Sequence, residues 1–190
     1  MRFALVSAAA VLLVSVSSSP ASATPPDIPS VAAAKTELAA LAVAAESHVD
    51  SYDRALFPHW AQVRGACNVR ELLLQFEAET VTVDRASCAP IEGRWRSPYD
   101  GAVWTLPADL DIDHMVPLSE AWKSGAHAWS PERRKAFANS LLDSQLWVVT
   151  DNVNQSKGDQ DPSAWQPPLA PFRCAYAKSW VDVKFDWGLT

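Results

Sequence analysis

Two short segments constrain this chain's fold more than any other feature, because each can form a strand only if that strand stops where polar chemistry begins. The first reads Asp111-Ile112-Asp113-His114-Met115-Val116-Pro117-Leu118, an alternating stretch closed by a proline that cannot donate to a ladder. The second, Leu146-Trp147-Val148-Val149-Thr150, passes without a break into Asp151-Asn152-Val153-Asn154-Gln155-Ser156-Lys157-Gly158. That is an apolar run followed by a polar helical pattern ending in glycine. The pattern predicts strands over 110–116 and 146–150 and a helix over 151–157 capped by Asp151. Strand, strand and helix fold into one compact unit with an acid and a histidine at the end of the first strand.

The remaining segments supply elements around this unit. Ser30 can cap an alanine-rich helix running to about residue 46, and residues 51–60 read as a short helix halted at Pro58. Asn68 with Glu71 three residues on is a capping-box start for a helix through residue 78. Alternating valines over 80–84 read as a strand. Pro98-Tyr99-Asp100-Gly101 is a turn between strands over 95–97 and 103–106. Helices follow over 119–124 and from Pro131 to about residue 139, and a terminal helix spans 172–187. The fold class expected is α+β.

The 190 residues suit one sizeable core, with 48% hydrophobic and 20% charged residues. Residues 1–23 carry Arg2, a largely apolar stretch and Ala21-Ser22-Ala23, the pattern of an export signal peptide cleaved after a small-x-small motif. We therefore read residues 1–23 as a signal peptide, 24–50 as an N-terminal segment and helix, and 51–190 as the functional domain. The expected location is extracellular, with no stable membrane association. Export permits disulfides. Of Cys67, Cys88 and Cys174 the shortest loop favours Cys67 with Cys88, although spacing leaves the pairing open. The net charge of −6 argues against a coat of non-specific nucleic-acid contacts, but not against an enzyme that meets phosphate through a metal ion.

The residue types at the two strand ends suit phosphodiester hydrolysis, which needs a base for water, a cation for developing charge and a rigid frame. Asp113 offers hard carboxylate oxygen and Asn154 an amide oxygen, a set suited to Mg²⁺ or Mn²⁺ completed by water and phosphate. His114, left unligated, has the ordinary pKa of a general base near neutrality. Lys157 would face substrate phosphate. Asp111, two residues before Asp113 and so on the same strand face, is a candidate supporting carboxylate or a solvated charge.

These residues resemble the HNH endonucleases, and in particular small exported ones similar to the C-terminal nuclease domain of GmrSD-type restriction enzymes. The likeness extends to Tyr52-Asp53-Arg54 with His59-Trp60, Cys67-Asn68 with Arg70-Glu71, and Trp95 with Pro98-Tyr99. It continues through Phe137-Ala138-Asn139 and Ala175-Tyr176 with Trp180. The resemblance implies a ββα-metal core of HNH type, with surrounding helices and an extra hairpin. It also implies a divalent metal at Asp113 and Asn154, His114 as the base, and Asn139 bracing the site. Many members have histidine at the position of Asn154 and paired CxxC zinc motifs; this chain has neither. The implied activity is that of a secreted, monomeric, metal-dependent endonuclease acting on nucleic acid, DNA in preference to RNA.

Three further features point elsewhere. Nine tryptophans suit an exported, non-catalytic glycan-binding module if Trp95, Trp104 and Trp165 form an exposed row, but their scatter through the expected helices and strands favours core packing for most. Arg133-Arg134-Lys135 could be a solvated face or a set of phosphate contacts. His59 and His127 read as structural imidazoles. The sequence lacks GxSxG, HExxH, Walker and GxGxxG motifs, which removes the commoner hydrolase and nucleotide-binding classes.

Overall fold

The computed structural model describes residues 28–190, so the expected signal peptide lies outside the described residues. Helices alternate with short strands gathered into three small antiparallel sheets, the α+β class that the sequence predicts. Helix α1 (Val31–Ala40) is capped by Ser30, whose Oγ accepts from the Ala33 amide. It stops short of residue 46 because the following apolar residues find nothing to bury against; Val43 is fully exposed. The expected helix over 51–60 is instead two single 3₁₀ turns, Val49–Ser51 and Arg54–Leu56, the second capped by Asp53.

A small sheet pairs β1 (Gln62–Arg64) with β2 (Cys67–Asn68) and leads into α2 (Val69–Phe76). The capping box forms as expected: the Glu71 amide donates to Asn68 Oδ1 at 3.0 Å and the Asn68 amide to Glu71 Oε2 at 2.7 Å. Strands β3 (Thr80–Val83), β4 (Pro90–Arg96) and β5 (Val103–Trp104) form the second sheet in that order. The Cys67–Cys88 disulfide ties β2 to the connection between β3 and β4, and Cys174 is free and exposed.

The third sheet pairs β6 (Leu110–His114) with β7 (Leu146–Thr150), Leu110 opposite Thr150 and His114 opposite Leu146. Between them in the chain run α3 (Leu118–Lys123) and α4 (Pro131–Ala138); α5 (Asp151–Lys157) and α6 (Arg173–Trp187) follow. Every residue of β7 is buried because the sheet lies between two apolar clusters. Leu146 and Val148 join Leu110, Ile112, Leu74 and Trp95 on one side, while Trp147 and Val149 join Met115, Phe137 and Tyr176 on the other. By the same alternation Asp111 and Asp113 share the face of Val149 and Trp147.

Strand β6 ends at His114 rather than Val116 because the fully buried Gln145 takes over the backbone partners beyond it. Its main-chain oxygen accepts from the Met115 amide at 2.7 Å. Its side chain accepts from the Val116 amide at 3.0 Å and donates to the Val116 carbonyl at 2.9 Å.

Candidate active site

Helix α5 begins directly at the end of β7, and this junction sets the geometry of the site. Asp151 is the first helical residue rather than its cap. Thr150 holds the cap position, but its hydroxyl is committed to the indole of Trp104 and to Asp100 Oδ1. Gly158, with φ 56°, ends the helix where a left-handed residue is needed. Asn154 and Lys157, three apart, therefore share one face toward β6. Asn154 Nδ2 donates to Asp111 Oδ2 at 3.2 Å, and Lys157 Nζ donates to Asp113 Oδ1 and to the His114 carbonyl, both at 2.8 Å.

A cleft of about 240 Å³ opens at this strand end, lined by Arg54, Asp113, His114, Asn154 and Gln155 among others. Alternation sends Asp113 and His114 to opposite faces, and both reach the cleft because the strand terminates there. Asp113 is buried; Tyr99 donates its hydroxyl to Oδ2 while Lys157 holds Oδ1. Burial pushes the Asp113 carboxyl upward and Lys157 downward, each toward its neutral form, and their mutual attraction opposes both shifts. Burial also raises the Tyr99 phenol, with the Asp113 charge adding to it, so Tyr99 stays a donor.

His114 is buried, with Nε2 3.0 Å from the Ala138 carbonyl. Such a bond requires the proton on Nε2 and leaves Nδ1 as a lone-pair acceptor. Burial is the first cause that pushes the imidazole down to about 3; the cations Arg54 and Lys157 add to it, so the ring is neutral at physiological pH. The Trp60 ring stacks on it at 5.8 Å between centroids and 24° between planes. Trp60 itself adopts a left-handed backbone, φ 58°, a conformation that costs on the order of 1–3 kcal/mol in a non-glycine residue.

Asn139 holds that strained segment. Its Oδ1 accepts from the Ala61 amide and its Nδ2 donates to the carbonyls of Pro58 and Lys135, each at 2.7 Å. The first two bonds flank His59-Trp60 on both sides, and Asn139 directly follows the residue whose carbonyl binds His114.

The fold thus gathers Asp111, Asp113, His114, Asn154 and Lys157 around one strand end, but not all in the expected attitude. Lys157 is fully buried and points at Asp113, so it does not face a phosphate in the cleft. The helix length sets this: three residues beyond Asn154 the chain is still helical, and the side chain turns under the strand. The two arginines of the basic run on α4 are also engaged, while Lys135 is exposed. Arg133 lies over the Trp129 ring and donates to the Trp187 carbonyl, while Arg134 is buried and donates to the carbonyls of Leu56 and Trp129. Tyr99, Trp60 and Arg54 are site residues that motif spacing alone did not single out; their only signal is that each falls in a segment shared with the family resemblance.

Residues 68–190 match the family described as GmrSD restriction endonucleases, C-terminal domain. This chain belongs to that family. A protein of Arthroderma benhamiae (strain ATCC MYA-4681 / CBS 112371) named "Uncharacterized secreted protein" is 50% identical over 167 residues, covering 88% of this chain and 81% of the relative. No solved structure matches the chain.

The span matched to the GmrSD family contains Asp111, Asp113, His114, Asn139, Asn154 and Lys157, whereas Arg54, His59 and Trp60 precede it. The exposed row of tryptophans that a glycan-binding module would need is not formed. Trp95 is buried, Trp104 and Trp165 are half-buried with their indole N–H groups donating to Thr150 and Ser156, and none of the nine indole residues is exposed. A flat aromatic platform for glycans therefore has no basis on the described surface. Among the described residues, no helix is long and apolar enough to cross a membrane.

Proposed function

We propose that the chain is an exported, metal-dependent endonuclease whose β6, β7 and α5 form a ββα-metal core, with residues 51–190 as the nuclease unit. The observation that carries this reading is the convergence of Asp113, His114 and Asn154 on one cleft in a member of the GmrSD C-terminal family. The secreted relative and the disulfide support export after a leader at residues 1–23.

The donor set fits a hard cation. Asp113 and Asn154 would hold it: each carboxylate oxygen of Asp113 has a second lone pair beyond its bond to Tyr99 or Lys157, and the bond from Asn154 Nδ2 to Asp111 leaves Oδ1 for coordination. Among the described residues no three His, Cys, Asp or Glu side chains cluster to hold a metal. Two protein oxygens completed by water and substrate suit Mg²⁺ or Mn²⁺ rather than a closed zinc site. When bound, the cation supplies charge neutralisation on the phosphate and the leaving oxygen.

The protein's own groups do the rest. His114 Nδ1 accepts a proton from water as it attacks phosphorus, while the Ala138 carbonyl holds the tautomer and Trp60 holds the plane of the ring. Lys157 opposes the upward push that burial exerts on the Asp113 carboxyl. Asn139 braces the segment carrying Trp60, and Asp111 orients Asn154. The substrate is nucleic acid, with DNA favoured over RNA, and the working unit is a monomer.

The test is incubation of the mature protein with plasmid DNA and a matched RNA, with Mg²⁺ or Mn²⁺ and then with EDTA. Cutting that EDTA abolishes is expected. Cutting unchanged by EDTA, or none with any divalent ion, overturns the reading. His114→Ala should lower kcat by about 10²–10⁴.

A further inference from the structure

The cleft would have to receive a phosphodiester, yet the lysine expected to meet it is buried against Asp113, and Arg133 and Arg134 are engaged elsewhere. Arg54 is the cationic side chain among the residues lining the cleft, and it is exposed. Among the described residues no carboxylate pairs with it within 4 Å. Its charge is therefore not neutralised by the protein, in a chain whose net charge is −6.

The guanidinium is nevertheless held in place. Its Nη2 lies 3.4 Å from His59 Nε2, and His59 Nδ1 lies 2.8 Å from the Phe57 carbonyl. The carbonyl takes the Nδ1 proton, so Nε2 presents a lone pair to the guanidinium. The turn beneath is fixed on three sides. Asp53 Oδ1 accepts from the Ala55 amide at 2.8 Å, Arg134 Nε donates to the Leu56 carbonyl at 3.0 Å, and Phe57 is wholly buried in the core. A fixed, unneutralised guanidinium at the mouth of a site built for phosphate chemistry is the geometry of an anion clamp.

We propose that Arg54, supplied by a segment preceding the family-matched span, binds a phosphate of the nucleic-acid substrate beside the scissile bond, with His59 as the residue that positions it. This deepens the nuclease reading and rests on it. The bidentate fork of arginine suits two non-bridging phosphate oxygens, and the neutral contact from His59 restrains it without cancelling its charge.

The test uses the full mature chain and a fluorescein-labelled 20-nucleotide DNA, single-stranded and duplex. Binding is measured by anisotropy across a salt series in the His114→Ala background, and cleavage in the unmodified background. Arg54→Gln is expected to weaken binding roughly tenfold and to lower the slope of log Kd against log salt by about one. It should raise KM more than it lowers kcat, and the thermal midpoint should hold, because the side chain is exposed. His59→Ala is expected to weaken binding less and to leave the salt slope unchanged, since the charge remains, and His59→Gln should restore affinity. An unchanged Kd and salt slope for Arg54→Gln, in a protein that binds and cuts DNA, overturns the clamp while leaving the nuclease intact. A parent protein that neither binds nor cuts overturns both.

Discussion

Lys157 Nζ lies 2.8 Å from Asp113 Oδ1, and no part of the lysine reaches solvent. Removing one member of a buried ion pair leaves the other charge uncompensated, at a cost of about 3–5 kcal/mol. Lys157→Met should therefore lower unfolding stability by that amount in urea titrations. A change below about 0.5 kcal/mol, accompanied by a weaker salt dependence of DNA binding, would instead mark Lys157 as an exposed phosphate contact.

Asn139 should behave as a brace. Asn139→Ala removes an acceptor from the Ala61 amide and two donors from the Pro58 and Lys135 carbonyls. A loss of about 1–3 kcal/mol is expected by thermal or chemical unfolding. Trp60 should relax from its left-handed backbone, so the Trp60 fluorescence, isolated by comparison with Trp60→Phe, should change below the melting transition. Activity should fall further than the folded fraction does.

Glu77 sets a pH dependence of stability. Burial pushes its carboxyl up to about 8, and Oε2 accepts from the Val148 amide at 3.2 Å, on the edge of β7 that β6 does not pair. The folded state holds this proton to a higher pH than the unfolded chain. The contribution to stability is therefore complete below the ordinary carboxylate range and is lost as pH rises toward 8. Glu77→Gln keeps the acceptor without the charge. Melts of the variant should match the parent near pH 4 and exceed it at pH 8; a parent melting point flat over that range would refute this assignment.

The Cys67–Cys88 bridge closes a loop with a sequence separation of 21 and lies away from the cleft. Replacing both cysteines with serine should cost about 3 kcal/mol of stability from loop entropy. Cleavage at temperatures where the variant is folded should be unchanged. Loss of activity in a fully folded variant would show that the bridge also shapes the site.

Local chemistry in the sequence was enough to determine the α+β class, the capping box at Asn68 and Glu71, the β6, β7 and α5 order, and the candidates Asp113, His114 and Asn154. Each rests on neighbours within a few positions: alternation, a cap, a proline, a glycine. Element ends were legible only where burial agreed with propensity, which is why α1 stops at Ala40 and β6 at His114. Only the tertiary structure decided what each charged group faces. Lys157 and Arg134 turn inward because buried oxygens of Asp113 and Leu56 wait at the reach of their side chains, whereas Arg54 stays exposed at the cleft. Tyr99 and Trp60 meet Asp113 and His114 across 14 and 54 positions of chain, pairings that no local pattern encodes because packing of separate elements creates them.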